Sequence, residues 1–504
     1  MLIRKLIILG VLGGMILASG FTVNTYAQTT PVPTPDEPAA IYMTFLPLML
    51  TSGNTVPAPV SLPFGAETIN AIDPGLMANL SSAGGTWTRH TVLEWDRIEP
   101  TRTNPPSYIW SQVNNGKETS LAAASSSGVN VIATIKYTPG WAQKYSGIPC
   151  GPVAADKFDE FAQFISEAVK RYSVPPYNIK YWEIGNEPDV DPADREPTPG
   201  NRAVFGCWGD KSQPASYGGD YYADMLKVVY PAIKAANPNA KVVIGGLLLD
   251  CDPANPPPID PKYPGVLKDC SSANFLKGIL SNGGAPYFDY VAYHGYAWYH
   301  PGNATTLPQA VDETNTSWAH LGGVVVGKYN FLRSLMTGFG VNKPIILNEA
   351  GLVCAEWFSA CMPPPANFYE EQADYLVKLF VRNMSLNITS TIWFTLEGPG
   401  WRYAGLFYDT QTTPKPAHDA MTFLTTELAG AAYVAPVNQY TGKWGYELRS
   451  STKKIWVLGA SGPTGSTITL PPGWLKVYNK YGATVNPSGN QVFVKSPIYV
   501  EFAP

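Results

Sequence analysis

Two glutamates stand out because each closes a short apolar run, where a carboxyl could meet a substrate. Glu187 ends Ile179–Glu187 (IKYWEIGNE) and precedes Pro188, while Glu349 lies at the end of Pro344–Ala350 (PIILNEA). Cleaving an acetal such as a glycosidic bond calls for such a pair. One carboxylic acid protonates the leaving oxygen, and a second carboxylate stands on the other side of the anomeric carbon. The acid must stay protonated near working pH, so burial and a neighbouring carboxylate are expected to raise the pKa of Glu187. The second group must carry its charge. This chemistry requires no metal and no organic cofactor.

Other chemistries find less support. Gly322–Lys328 (GGVVVGK) imitates a phosphate loop, but Tyr329 stands where a Ser or Thr would bind magnesium. No G-x-S-x-G elbow and no H-E-x-x-H helix is present, which removes the serine hydrolase and zinc protease readings. The 5 histidines are scattered and the 6 cysteines lack zinc-ligand spacing. A net charge of -4 with no long basic run argues against nucleic acid as a partner, since phosphate binding needs clustered Lys and Arg.

To hold two carboxyls face to face, the chain needs elements that deliver them from separate strands. From about Ser61, short apolar β-rich runs alternate with helical or loop stretches, the pattern of parallel α/β architecture. Strands are expected at 62–67, 85–90, 129–137, 179–187, 241–249, 288–296, 344–350 and 390–396. Helical periodicity marks Phe158–Tyr172 and Tyr369–Met384 between them. Eight strands with eight crossovers make a (β/α)₈ TIM barrel, and Glu187 and Glu349 then end its fourth and seventh strands. The region 61–429 exceeds the ~250 residues typical of that fold. Its surplus falls after the third to fifth and seventh strands, where the cysteines also lie, on the face where such barrels place active sites. After Gly430, segments such as KIWVLGA and PIYVEF alternate between Gly, Pro and Asn turns. They read as a small antiparallel β-domain over 430–504, and a structural role is favoured over carbohydrate binding.

The N-terminus reads as an export signal over 1–27. Arg4 and Lys5 precede an apolar run from Leu6 to about Val23, with a small-residue cleavage point at Tyr26-Ala27-Gln28. A secreted or extracellular location without stable membrane insertion follows if the signal is cleaved. Residues 28–60 hold a Pro/Thr-rich linker (Thr29–Ala40) and an apolar decamer (Ile41–Leu50) too short to span a bilayer. An oxidising compartment suits structural disulfides, with Cys251–Cys270 and Cys354–Cys361 as the shortest loops to close and Cys150 and Cys207 remaining.

The motif around Glu187, WEIGNEP, resembles the Asn-Glu-Pro signature of clan A glycoside hydrolases, retaining glycosidases built on a (β/α)₈ barrel. The resemblance covers about Ser61 to Thr426. It implies Glu187 as acid/base and Glu349 as nucleophile, with carboxyls ~5–5.5 Å apart. It further implies that Asn186 hydrogen-bonds the sugar 2-hydroxyl and that Arg89, in Trp87-Thr88-Arg89, keeps the nucleophile ionised. Trp95–Pro100 (WDRIEP) resembles a segment common in the clan. His294 would bind sugar, Tyr296 would hydrogen-bond the nucleophile, and Trp393 would form the aromatic platform beneath the reacting ring. Trp141, after the third strand, is weighed evenly between sugar stacking and loop packing. The clan more often flanks its nucleophile with Thr or Ser and an aromatic residue, whereas Asn348 and Ala350 stand here. Two function classes follow: an active glycosidase on a carbohydrate substrate, or an inactive carbohydrate-binding protein on the same fold. A binding protein has no physical need for a second buried acid, because unpaired carboxylates are costly to bury.

Overall fold

Parallel strands buried on both faces need apolar residues at nearly every position, with polar ones admitted only where partners wait. The computed structural model describes residues 62–194, 202–257, 268–302, 307–313, 316–356 and 358–504. The expected signal, linker and apolar decamer lie outside the described residues. Eight parallel strands form the barrel: β1 (Phe64–Ala66), β2 (Trp87–Glu94), β3 (Asn130–Lys136), β4 (Tyr181–Ile184), β5 (Lys241–Ile244), β6 (Val291–His300), β8 (Ile345–Val353) and β9 (Thr391–Trp393). Pairing runs β5-β4-β3-β2-β1-β9-β8-β6, and the bridges Val243–Tyr290 and Leu247–Tyr293 join β5 to β6 to close the ring. Each barrel strand is followed by a helix: α1 (Pro74–Ser82), α2 (Leu121–Ser126), α3 (Phe158–Tyr172), α4 (Gly219–Ala236), α5 (Phe275–Ser281), α6 (Gly323–Gly338), α7 (Ala366–Ser385) and α8 (Pro416–Glu427).

Helix α3 shows why the helical ring forms. Phe158, Phe161, Ala162, Ile165, Ala168, Val169 and Tyr172 recur at three- and four-residue steps and are buried. Asp159 and Glu160 occupy the first turn and Lys170 and Arg171 the last, which complements the helix dipole.

The period of two along the strands builds the barrel interior in layers. Trp87, Ile132, Val243, Ala292, Ile346 and Ile392 make its apolar floor. Two residues further along four of those strands stand Arg89, Thr134, His294 and Asn348, joined by Glu183 of β4, all buried. One step of alternation thus converts a hydrophobic floor into a polar layer at the C-terminal end.

Several strand boundaries differ from the sequence reading. β4 stops at Ile184 because Gly185 (φ 79°) and Glu187 (φ 47°) turn into the left-handed region. β5 stops at Ile244, before Gly245, Gly246 and Leu249 (φ 49°). β6 runs on to His300, where the short strand β7 (Gln309–Val311) pairs with it antiparallel, an addition outside the eight. Long loops follow the third to fifth strands as expected, but the connection after the seventh is shorter than those after the second, sixth and eighth. Disulfides Cys150–Cys207, Cys251–Cys270 and Cys354–Cys361 tie the loops after β3, β4, β5 and β8.

The C-terminal strands β10 (Ala432–Pro436), β11 (Lys443–Arg449), β12 (Lys454–Ala460), β13 (Ser466–Thr469), β14 (Trp474–Asn479), β15 (Gln491–Val494) and β16 (Ile498–Phe502) are all antiparallel. They form a five-stranded sheet, β10-β11-β12-β16-β14, and the pair β13-β15. This unit packs on the barrel helices: Phe423 of α8 meets Tyr478 and Tyr499, and Lys480 reaches Asp374 of α7 at 2.5 Å. Among the described residues, no helix is long and apolar enough to cross a membrane.

Candidate active site

The polar layer converges on one guanidinium. Arg89 donates from Nε to Glu183 (2.7 Å) and from Nη1 to Glu67 (2.8 Å) and Glu349 (2.5 Å), and its Nη2 donates to Asn186. Burial opposes its charge, but Glu183, Glu67 and Glu349 overcome that and raise its pKa well above the ordinary value. Glu183 is fully buried. Besides Arg89 it accepts from Thr134 (2.5 Å), the Gly246 N–H (3.0 Å) and the Asn348 side-chain amide. Its partners all lie within the barrel layer, and Asn348, the residue before Glu349, is one of them.

Glu349 accepts from Arg89 on one oxygen and from the Tyr296 hydroxyl on the other. Two donors of this kind match a carboxylate rather than an acid. Burial first, then the charge of Glu349, raises the Tyr296 pKa well above its ordinary value, so the phenol remains the donor. Glu187 sits across the barrel mouth in a left-handed backbone turn, an unfavourable conformation for a non-glycine residue, held by its N–H on Gly246 O (3.0 Å). Its carboxyl hydrogen-bonds His294 Nδ1 at 2.7 Å. Burial raises Glu187 to about 7, with Arg89, Lys136 and Lys328 pulling the other way and Asp250 adding to the rise. Burial also lowers His294 to about 4, so the imidazole is neutral.

Glu187, His294 and Glu349 each place one donor atom within 4.8 Å of the others, so the nearest carboxyl oxygens of the two glutamates are no further apart than that. Such spacing could also hold a cation. Arg89 and Tyr296 already engage both oxygens of Glu349, which suits glycosyl and proton transfer better than ion binding.

Six of the eight residues singled out from sequence, Glu187, Glu349, Arg89, Asn186, His294 and Tyr296, meet here. Trp393 and Trp141 do not. Trp393 is fully buried, its indole N–H donating to Ala404 O (2.7 Å) and its ring beside Tyr375 of α7. Strand alternation turns it toward the helices, and the half-buried Phe394 that follows faces Tyr296 instead (ring centroids 5.8 Å). Trp141 packs edge-on against Trp95 and donates to Glu99 O (3.0 Å), a loop-packing role. Asp189, in the loop after β4, is buried and caps the N–H groups of Leu248 (2.9 Å) and Leu249 (2.8 Å). At the end of β2 and in the loop after it, Glu94 and Asp96 pair with Arg202, and Glu99 with Arg102.

Two features escaped the sequence reading. Glu67, just past β1, places a third carboxyl on Arg89, and burial together with Glu349 and Glu183 raises its pKa well above the ordinary value despite that guanidinium. Its signal was the glutamate closing LPFGAE, the same pattern as Glu187 and Glu349. Trp401, in the loop after β9, is 43% exposed with its ring 5.2 Å from that of Tyr296. No periodicity marks a loop residue of this kind.

No protein-family profile and no curated protein matches this chain. Its architecture does match solved structures. A family 39 glycoside hydrolase from the gut symbiont Bacteroides cellulosilyticus WH2 aligns with a TM-score of 0.63 at 16% identity, covering 89% of this chain and 83% of that one. A GH30 endoxylanase from Clostridium papyrosolvens C71 aligns at 0.52 and 14% identity over 88% and 97% of the two chains. A family 51 α-L-arabinofuranosidase from Bifidobacterium longum aligns at 0.53 and 11% identity over 89% and 97%. The chain therefore has the barrel fold of glycoside hydrolases in families 39, 30 and 51.

Proposed function

We propose that this chain is a secreted retaining glycoside hydrolase that cleaves O-glycosidic bonds of a β-linked poly- or oligosaccharide by double displacement. Glu349 is the nucleophile. Glu187 protonates the leaving oxygen in the first step and, as a carboxylate, activates water in the second. The observation that carries this reading is the approach of the two carboxyls, with nearest oxygens within 4.8 Å. Separations near ~5–5.5 Å leave room for a covalent glycosyl intermediate, whereas inversion needs ~6.5–9.5 Å to admit a water.

The unequal surroundings of the pair support the same assignment. Glu349 has Arg89 and Tyr296 as donors, while Glu187 sits in a dry niche that raises it to about 7. A buried carboxyl whose pKa is raised suits the acid, and a carboxyl that accepts from two strong donors suits the nucleophile. Asn186, its Oδ1 held by Arg89, is the group assigned to a sugar hydroxyl, and Phe394 is assigned the aromatic surface expected of Trp393. Three disulfides accord with an oxidising, extracellular setting.

The test is sugar release from a panel of β-linked polysaccharides and aryl glycosides by wild type, Glu349→Gln and Glu187→Gln. Release by wild type that disappears in Glu349→Gln, with azide restoring turnover to Glu349→Ala, is the expected result. Tight binding to one glycan without any release would assign the chain to the carbohydrate-binding class instead.

A further inference from the structure

The lysine that ends the phosphate-loop look-alike has a different use. Lys328 of α6 is only 6% exposed, and its ammonium donates to the carbonyls of Leu248 (2.6 Å) and His294 (3.0 Å). Leu248 is gripped from its other side by Asp189, whose carboxylate accepts the N–H groups of Leu248 and Leu249. The same short stretch anchors Glu187 and His294. Gly246 O accepts the Glu187 N–H (3.0 Å), and Leu247 O accepts the His294 N–H (2.9 Å). The β5 loop start is thus a hub with an acid on one side, a base on the other, and both partners of the Glu187–His294 hydrogen bond attached to it.

A buried ammonium with only carbonyl acceptors is an expensive way to hold a loop, since desolvation disfavours the charge. Burial lowers Lys328 to about 8, against Asp250, Asp189 and Glu187, which raise it, and Lys268, which adds to the fall. An uncharged side chain would pack here at lower cost. What it could not do is hold two carbonyls at once while placing a positive charge near the acid/base.

We propose that Lys328 is a positioning residue for leaving-group protonation: clamped with Asp189 across the β5 loop, it fixes the backbone from which His294 holds the Glu187 carboxyl. The proposal rests on Glu187 being the acid/base. Loss of the clamp misdirects the acid, so it harms substrates that need protonation and spares those that do not. The charge has a separate consequence. Glu187 faces Glu349 and His294 within 4.8 Å, with Tyr296, Asp189, Arg89, Lys136, Lys328 and Asp250 around it, and Lys328 is among the cations that favour its ionised form. Removing it makes Glu187 hold its proton to higher pH.

The experiment is kcat/KM for wild type, Lys328→Met, Lys328→Arg and Glu187→Gln on aryl β-glycosides of graded leaving-group ability, with pH profiles. Lys328→Met should lose roughly 10–100-fold more on the poorest leaving group than on the best, part of the ~10²–10⁴ that acid catalysis supplies. Its alkaline limb should move to higher pH, while Lys328→Arg keeps the wild-type limb. Equal loss on every leaving group with an unmoved limb would overturn the proposal and leave a purely structural lysine. If Lys328→Met does not fold, Asp189→Asn must show the same leaving-group dependence, and its absence there overturns the proposal equally. Glu187→Gln separates the two ideas. A flat leaving-group dependence in that variant refutes Glu187 as the acid, whereas a steep one beside a flat Lys328→Met refutes only the clamp.

Discussion

At the scale of single residues, the site is decided by how one guanidinium is shared. Arg89 serves Glu67, Glu183 and Glu349, all of low exposure, so removing it strands charge rather than merely deleting a contact. Arg89→Met should cost about 3–5 kcal/mol of stability, the usual penalty for breaking a buried pair, measurable by denaturant unfolding. Glu67 is different in kind. It contacts Arg89 Nη1 at 2.8 Å, while burial, Glu349 and Glu183 favour its protonated form against that guanidinium. Glu67→Gln should therefore change kcat/KM by less than about tenfold, the span of one neutral hydrogen bond. A loss as deep as that of Glu349→Gln would show that Glu67 acts as a charge. For Glu187 the sign is set by burial. An acid raised to about 7 donates a proton below that pH and not above it, so kcat/KM should fall on an alkaline limb near 7. A limb near the ordinary glutamate value would contradict the burial argument.

At the scale of elements, the sequence exposed what periodicity encodes and hid what turns decide. α3 was legible residue by residue, because its apolar spacing and end charges all agree. The ends of β4 and β5 were not. Glu187 and Leu249 adopt positive φ where their N–H groups meet partners distant in sequence, Gly246 O and the Asp189 carboxylate. Trp393 misled for a related reason. Its type suggested a sugar platform, but a one-residue step on a strand exchanges faces, and Phe394 took the inward position. Gly246 shows how tightly these turns fit. A Cβ there would lie 2.2 Å from His294 Nε2 and 2.7 Å from Asn348 Oδ1. Gly246→Ala should displace His294 and lower kcat/KM on the order of 10²-fold, the cost of an ångström of misplacement. An unchanged kcat/KM would mean that His294 does not orient Glu187.

At the scale of the whole molecule, the barrel and the C-terminal sheet share an interface centred on a buried charge. Lys480 is 3% exposed and pairs with Asp374 and Glu370 of α7. Lys480→Met should destabilise the chain by about 3 kcal/mol through the unpaired Asp374 while leaving kcat unchanged, checked by thermal unfolding beside steady-state rates. The barrel and the C-terminal β-unit were legible because strand count, crossover pattern and the change in alternation after Gly430 act over hundreds of residues. Glu67 and Trp401 were not, because Glu67 acquires its meaning only at Arg89 of β2 and Trp401 only at Tyr296 of β6. The central claim is a covalent glycosyl-enzyme on one named glutamate. Its most direct test is mass spectrometry after incubation with 2-deoxy-2-fluoro glycosides of the sugar the enzyme releases. A single glycosyl adduct on the peptide carrying Glu349, absent from Glu349→Gln, is the expected result. An adduct on Glu67 or Glu187, or rapid turnover with an inverted product and no adduct, would contradict the account.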